Sequence, residues 1–225
     1  MFRKDYLLRL VEEMTQLIAK VYGLKQQGKT TEALWEIDEL LTRQFRLNSK
    51  LLRSLSAADI VQLFRTSGVL EADRLSNAAR LMEEEARLCL DSERRDEGLL
   101  LLAKVLHLYL TAFLNDANTK FWDLSRRIDD TAEDLRSLRL SEETERLLWV
   151  YFERAGRYAE AENSLFRLLE RENFDFREGS LFYERLLNVS PDELERGGLP
   201  LAEVHEGFAE LKRRFADTRG QADIR

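Results

Sequence analysis

The 225-residue chain has little of what builds sheets, disulfides or metal centres: one cysteine, two prolines, ten glycines, two histidines, and only 13 residues that are Val or Ile. A single cysteine, Cys89, cannot close an intramolecular disulfide, so nothing in the composition calls for an oxidising compartment. His107 and His205 cannot complete a zinc site with it unless carboxylates assist. Strands favour β-branched side chains and are punctuated by Gly and Pro turns, so their scarcity argues against a sheet protein. Long apolar runs are also missing. The longest, Leu99 to Leu114, is interrupted by Lys104 and His107 and falls short of the roughly 20 residues that a span needs. The opening residues place Asp5, Arg9, Glu12 and Glu13 where a secretory signal would need an apolar core, so a cytoplasmic protein with no membrane association is expected.

What is present is leucine, 42 residues of it, together with Ala, Glu and Arg, which lose little rotamer freedom in a helix. The expected class is therefore all-α. The chain carries 42 acidic and 35 basic side chains, a net charge of -7. Nucleic-acid affinity comes from clustered cations that neutralise phosphate, so nucleic acid is not an expected partner. Of the cations 27 are Arg and 8 are Lys, and many stand three or four residues from a carboxylate, as in Glu83 with Arg87 or Glu142 with Arg146. These spacings are expected on solvated helical faces, where each pair contributes about 0.2–0.5 kcal/mol.

Apolar periodicity divides the chain into helices. Leu7, Val11, Met14, Ile18 and Val21 mark one face of a helix over residues 4–26, and Gly28 breaks it. A second helix from Thr30 to Phe45 buries Ala33, Leu34, Ile37, Leu40 and Leu41, and so short a connection makes the two an antiparallel hairpin. Ser56 with Asp59 reads as a capping arrangement for a short helix through Phe64. Helices are then expected over Val69 to Leu90, Arg95 to Asn115, Thr119 to Leu138, Ser141 to Ala155, Tyr158 to Glu172 and Phe176 to Leu187. Ser190-Pro191-Asp192-Glu193 is the clearest boundary, with Ser as N-cap, Pro in the first turn and Glu reaching back. Pro200 opens the last helix, striped by Val204, Phe208, Leu211 and Phe215. No Ser- or Pro-rich linker appears, so residues 1–216 are expected to form a single domain, followed by a disordered tail over 217–225.

Two segments repeat one pattern: Gly28-Lys-Thr30-Thr-Glu-Ala33 with Ile37, and Gly156-Arg-Tyr158-Ala-Glu-Ala161 with Leu165. Gly lets the chain reverse between helices, and Ala five residues later lets the second helix approach the first closely. A weaker third copy places Gly98 in the small-residue position and Leu102 in the apolar one. The pattern resembles the tetratricopeptide repeat, and the resemblance implies antiparallel helical hairpins stacked as a TPR-like right-handed α-superhelix, an α-α solenoid of degenerate repeats. Departures are plain: Val21 and Trp149 stand where that repeat carries a small residue, and its proline after the second helix is replaced by Phe45, Leu110 and Asn173. The Lys and Asn with which some family members grip a peptide carboxylate are also missing, with Ile18, Tyr22, Glu83, Arg87, Arg146 and Val150 at the matching places. The opening MFRKDYLLRLVEEM, the length and the helical content are similar to a family of uncharacterised cytosolic bacterial proteins with TPR-like helices; that family implies no activity.

One motif points elsewhere. Gly23-Leu-Lys-Gln-Gln-Gly28-Lys29-Thr30 fits the P-loop pattern GxxxxGK followed by Ser or Thr, in which backbone amides wrap phosphate, Lys29 would reach the β/γ-phosphates and Thr30 would hold Mg²⁺. A P-loop must follow a buried strand, however, and residues 4–22 have helical periodicity. Gly28 is therefore expected at a hairpin turn. Glu83, Glu84 and Glu85 lack the Glu-x-x-His partners of a di-iron bundle. Trp35, Trp122 and Trp149 are expected to fill gaps between helices, the alternative being an exposed aromatic surface in a groove.

No catalytic, cofactor or metal residues are assigned. The expected function is a non-enzymatic protein- or peptide-interaction module, a scaffold or adaptor. The alternatives are a nucleotide-binding protein using Gly23 to Thr30, or a sensor enclosing a small ligand or peptide near the apolar helix 99–114. Exposed apolar edges of a helical stack would also let two copies pair as a homodimer.

Overall fold

The computed structural model describes residues 2–171 and 174–222, with side chains described for 7–171 and 174–216. The chain is all-α, with twelve helices among the described residues and one very short β-hairpin. It divides into two compact units, Met1–Leu140 and Ser141–Arg225.

The first unit opens with α1 (Phe2–Gln26) and α2 (Thr30–Phe45), which pack together as the expected hairpin. Leu10, Met14 and Val21 meet Ile37, Leu40 and Leu41, all nearly or fully buried. Gly28 turns the chain at φ 73°, a left-handed conformation that costs a residue without Cβ nothing. The next helix, α3 (Ser49–Ser54), has no counterpart in the periodicity reading. It is one and a half turns long and starts because the Asn48 side chain accepts from the Leu51 amide. In α4 (Ala57–Leu63), Ser56 accepts from the Asp59 amide as its spacing predicts.

A helix expected from Val69 instead begins at Ala72. Ser67 and Gly68 both take positive φ, 52° and 82°, which is the turn geometry that closes a two-residue hairpin. It pairs β1 (Arg65–Thr66) antiparallel with β2 (Val69–Leu70) before α5 (Ala72–Leu90) can start. The centre of the unit is the packing of α5 on α6 (Arg95–Leu114), with α2 and α1 against α5, and α4 and α7 (Leu124–Asp134) against α6. Leu75, Ala78, Leu81, Met82 and Ala86 interlock with Leu102, Val105, Leu106, Leu108 and Leu110, all with no exposed surface. Each buried leucine contributes about 1.5–3 kcal/mol. Such surroundings explain why α6, long and apolar enough by length and composition to cross a membrane, is mostly buried inside the protein. Helix α7 starts five residues later than Thr119, because Asp116 and Asp123 adopt positive φ and keep the intervening segment in turns.

The second unit begins where Ser141 caps α8 (Glu142–Arg154), accepting from the Thr144 amide. With α9 (Tyr158–Leu169) it forms another hairpin, turned by Gly156 at φ 69°. Helices α10 (Phe176–Leu186), α11 (Pro191–Arg196) and α12 (Leu201–Ala222) complete it. Ser190 caps α11 with Pro191 in the first turn, its side chain accepting from the Glu193 amide, and Glu193 reaches back to the cap, its Oε2 accepting from the Ser190 hydroxyl at 3.0 Å. The α9 start is tied to the end of α11, the Ala159 amide donating to the Gly197 carbonyl at 3.1 Å. Of the tail expected to be disordered, residues 223–225 lie outside the described residues, and α12 continues in backbone from Ala216 to Ala222.

The three small residues of the repeated pattern occupy equivalent places. Ala33 in α2 and Ala161 in α9 have no exposed surface, and Gly98 in α6 is buried against α5. A Cβ at Gly98 would stand 2.9 Å from both Leu90 Cγ and the Leu90 amide nitrogen, so only glycine permits this approach.

Candidate functional site

The corner between α2 and α3 exposes the side chain that departs most from expectation. Trp122 and Trp149 are packed among helices, Trp122 donating to Asn77 Oδ1 at 2.6 Å and Trp149 lying edge-on to Phe182 at 5.6 Å. Trp35, by contrast, is 60% exposed. On α2 the buried face is Ala33, Ile37, Leu40 and Leu41, and Trp35 lies outside that stripe.

Trp35 lines a cleft of about 550 Å³ together with Leu34 and Asp38 from the same helix, and with Asn48, Ser49, Lys50 and Arg53 from the start of α3. The corner is held in place. Asp38 Oδ1 accepts from the Ser49 amide at 2.6 Å, which spends that carboxylate on the first turn of α3. Arg53 is also the wall of a neighbouring cleft of about 270 Å³, lined by Glu97, Leu100, Leu101 and Lys104. Leu100 there is 69% exposed. The Lys104 ammonium donates to the Arg53 carbonyl at 2.5 Å and the Leu55 carbonyl at 2.7 Å, closing the end of α3 onto α6. Burial pushes its pKa below the ordinary lysine value. Arg53 Nε donates to Glu85 Oε1 at 2.5 Å, a carboxylate with almost no exposed surface.

The groove is also the basic part of an acidic protein. Residues 40–58 contain Arg43, Arg46, Lys50 and Arg53 and no carboxylate, in a chain of net charge -7. Arg43 is spent on Glu13 at 3.3 Å and Arg53 on Glu85. Arg46 and Lys50 are exposed and have no carboxylate partner among the described residues. The cleft therefore presents an indole face, Leu34 and one uncommitted cation, Lys50. Nothing in it supplies a nucleophile with a base in reach.

Over residues 1–216 the chain matches the model of a family described as a family of unknown function, DUF6483. The chain belongs to that family. No curated protein and no solved structure matches it. Membership in DUF6483 carries no activity with it, so the candidate site rests on geometry alone.

The other residues singled out from sequence are accounted for by packing. Gly23 lies inside α1, Gly28 at the turn, and Thr30 opens α2, so the P-loop-like segment is helix, turn and helix. The Gly28 and Lys29 amides bond back to the carbonyls of Lys25 and Leu24 at 3.0 and 2.9 Å, so neither faces outward to wrap a phosphate. Lys29 pairs with Glu32 at 3.5 Å. The Glu83–Glu85 run is engaged by arginines, and Glu83 is not on a solvated face: it is buried and accepts from Tyr109 at 2.8 Å and Arg127 at 2.9 Å. Its expected partner Arg87 pairs with it at 3.6 Å and also donates to Asp134 at 2.5 Å. Glu84 pairs with Arg80, and Glu142 with Arg146 at 3.0 Å as its spacing predicts. His107 is buried in α6 and His205 is exposed on α12. Cys89 is buried, which pushes its thiol pKa up and away from reactivity. Among the described residues no three His, Cys, Asp or Glu side chains group as a metal site.

The periodicity reading missed the groove because it asked which residues each helix buries. One signal in the sequence does point to it: a run of 19 residues, 40–58, with four cations and no acid directly follows the acidic stretch Glu32 to Glu39 that contains Trp35.

Proposed function

We propose that this protein is a non-enzymatic, cytoplasmic protein- or peptide-interaction module built from degenerate TPR-like hairpins, and that the Trp35 groove is where the partner sits. The observation that carries the reading is Trp35, a large aromatic side chain left 60% exposed beside a cleft whose Arg53 wall is shared with the neighbouring cleft that holds the exposed Leu100. Exposed aromatic anchors beside concave surfaces are what partner binding uses, since the apolar area they bury on association outweighs the cost of ordering the contact. The hairpins α1/α2 and α8/α9, both turned by glycine and closed by a fully buried alanine, support a repeat architecture whose surfaces serve binding. The step from architecture to role is by analogy of fold.

The test is to place the photo-crosslinker p-benzoylphenylalanine at position 35 and at the exposed His205 of the second unit, and to irradiate both in extract of the native host. Discrete adducts specific to position 35, competed by the unlabelled protein and not by its Trp35→Ala variant, are the expected result. Identical adduct patterns at the two positions, or turnover of a metabolite by the purified protein, would overturn the reading.

A further inference from the structure

The partner's chemistry can be read from the charges around the groove, given the interaction reading above. We infer that the Trp35 groove takes an acidic peptide segment with an apolar or aromatic anchor, laid with its carboxylates over the α3 side.

Most of the charges around the groove are already spent. Asp38 is hydrogen-bonded to the Ser49 amide, Glu97 is held by Arg94 at 2.7 Å, and Glu36 is paired with Lys20 at 2.6 Å. The carboxylate that lines the Trp35 cleft, Asp38, and the one in the neighbouring cleft, Glu97, therefore each have a partner of their own, as does Glu36 on α2. Lys50, in the cleft wall, and Arg46, at the end of α2, have none among the described residues. Arg46 caps α2 in a left-handed conformation, φ 59°, which fixes its backbone at the corner. The uncommitted charge on the α3 side is thus positive, and it lies against an exposed indole. Its complement is a carboxylate next to an apolar side chain: the anchor covers Trp35 and desolvates the cleft, and a carboxylate meets Lys50 in the cleft wall. Glu39, one turn along α2 from Trp35 and exposed without a cation among the described residues, sets the polarity. It repels carboxylates from the α2 rim and leaves them the α3 rim.

A nucleic acid would also meet an aromatic face and cations, but it spreads charge along its whole backbone. The protein's net charge of -7, with Glu36, Asp38 and Glu39 on the same helix as Trp35, opposes that and favours a short acidic segment.

The probe is a displayed library of random 12-residue peptides, selected on the full-length protein, with a random single-stranded RNA pool selected in parallel. Peptides rich in Asp and Glu around a Trp, Phe or Leu are expected to be enriched. Their binding should be lost on Trp35→Ala and weakened about tenfold or more by Lys50→Glu, with circular dichroism checking that both variants keep wild-type helix content. Enrichment that depends on Trp35 without an acidic bias would overturn the charge assignment and keep the groove. Failure to enrich any peptide that depends on Trp35 would overturn both, as would RNA that binds through Trp35. Concentration-dependent self-association abolished by Trp35→Ala would place a second copy in the groove and overturn the acidic-segment assignment.

Discussion

The Tyr109 hydroxyl on α6 donates to the Glu83 carboxylate on α5 at 2.8 Å, inside the core of the first unit, where both side chains have almost no exposed surface. Arg127 of α7 donates to the same oxygen at 2.9 Å, so one carboxylate joins three helices. Tyr109→Phe leaves the charge pair and removes one bond, and should cost about 1–3 kcal/mol. Glu83→Ala strands Arg127 beside Arg80 and should cost more, about 3–5 kcal/mol. The exposed pair Arg94–Glu97 gives the contrast: Glu97→Ala should leave stability close to wild type, because water screens the pair. Urea denaturation followed by circular dichroism ranks the three.

Two glycines should respond to alanine with opposite signs. At Gly98 a Cβ meets Leu90 backbone and side chain at 2.9 Å, so Gly98→Ala forces α5 and α6 apart and should destabilise by about 1–3 kcal/mol. At Gly23, inside α1, nothing lies within 4 Å of an added Cβ. Gly23→Ala should stabilise the helix by up to about 1 kcal/mol. The melting temperatures of the two variants check this, and a drop for Gly23→Ala would show that the position serves something other than the helix.

Lys29 pairs with Glu32 across one turn, and the amides around it are bonded within the helix-turn-helix. Titration of a fluorescent ATP analogue with Mg²⁺ should therefore give no saturable binding, and Lys29→Ala should behave as wild type. Saturable, Mg²⁺-dependent binding that the variant loses would establish a nucleotide site at Gly23 to Thr30.

In the second unit Tyr183 donates to Glu162 at 2.6 Å, with Gly207 packed so closely that any Cβ there would collide with both. Burial raises the Glu162 pKa above the ordinary carboxylate value, the Tyr183 bond opposes the rise, and nearby Glu203 adds to it. A carboxyl whose folded pKa is raised holds its proton more tightly when folded. The stability this gives is complete below the unfolded pKa, near 4.5, and is lost as pH rises through the folded value. Glu162→Gln keeps an acceptor for Tyr183 without the buried charge. It should melt higher than wild type at pH 7, by about 2–4 °C for each kcal/mol gained, with the difference fading toward pH 4. Equal differences at both pH values would mean that Glu162 does not change protonation there.

Where an outcome is decided within one or two helical turns, it could be read from the residues in order. The hairpin turn at Gly28, the Ser190 cap on α11 and most of the stripes of α1, α2 and α12 are of this kind, although Val11, Ile18 and Leu34 end half-buried. The segment 65–71 was not, because two successive left-handed residues, Ser67 and Gly68, turn it into a hairpin where periodicity alone suggests the start of a helix. The Asn48 cap was short-range too, but it opens a helix too brief to show a period.

Leucine content and 3.6-residue spacing by themselves determined that the chain is helical, where most helices begin, and which face of each is apolar, since hydrophobicity and backbone preference are local properties. Which polar and aromatic residues the fold then hides or leaves bare was decided only in three dimensions. Glu83 has the spacing of a surface pair, yet α6 and α7, carrying Tyr109 and Arg127, close over it. Trp35 has the character of a core residue, yet no helix covers it, and the α2–α3 corner sets Lys50 beside it. The physical reason is the same in both cases: burial depends on which distant segment packs against a face, and one helix's sequence does not contain its neighbour.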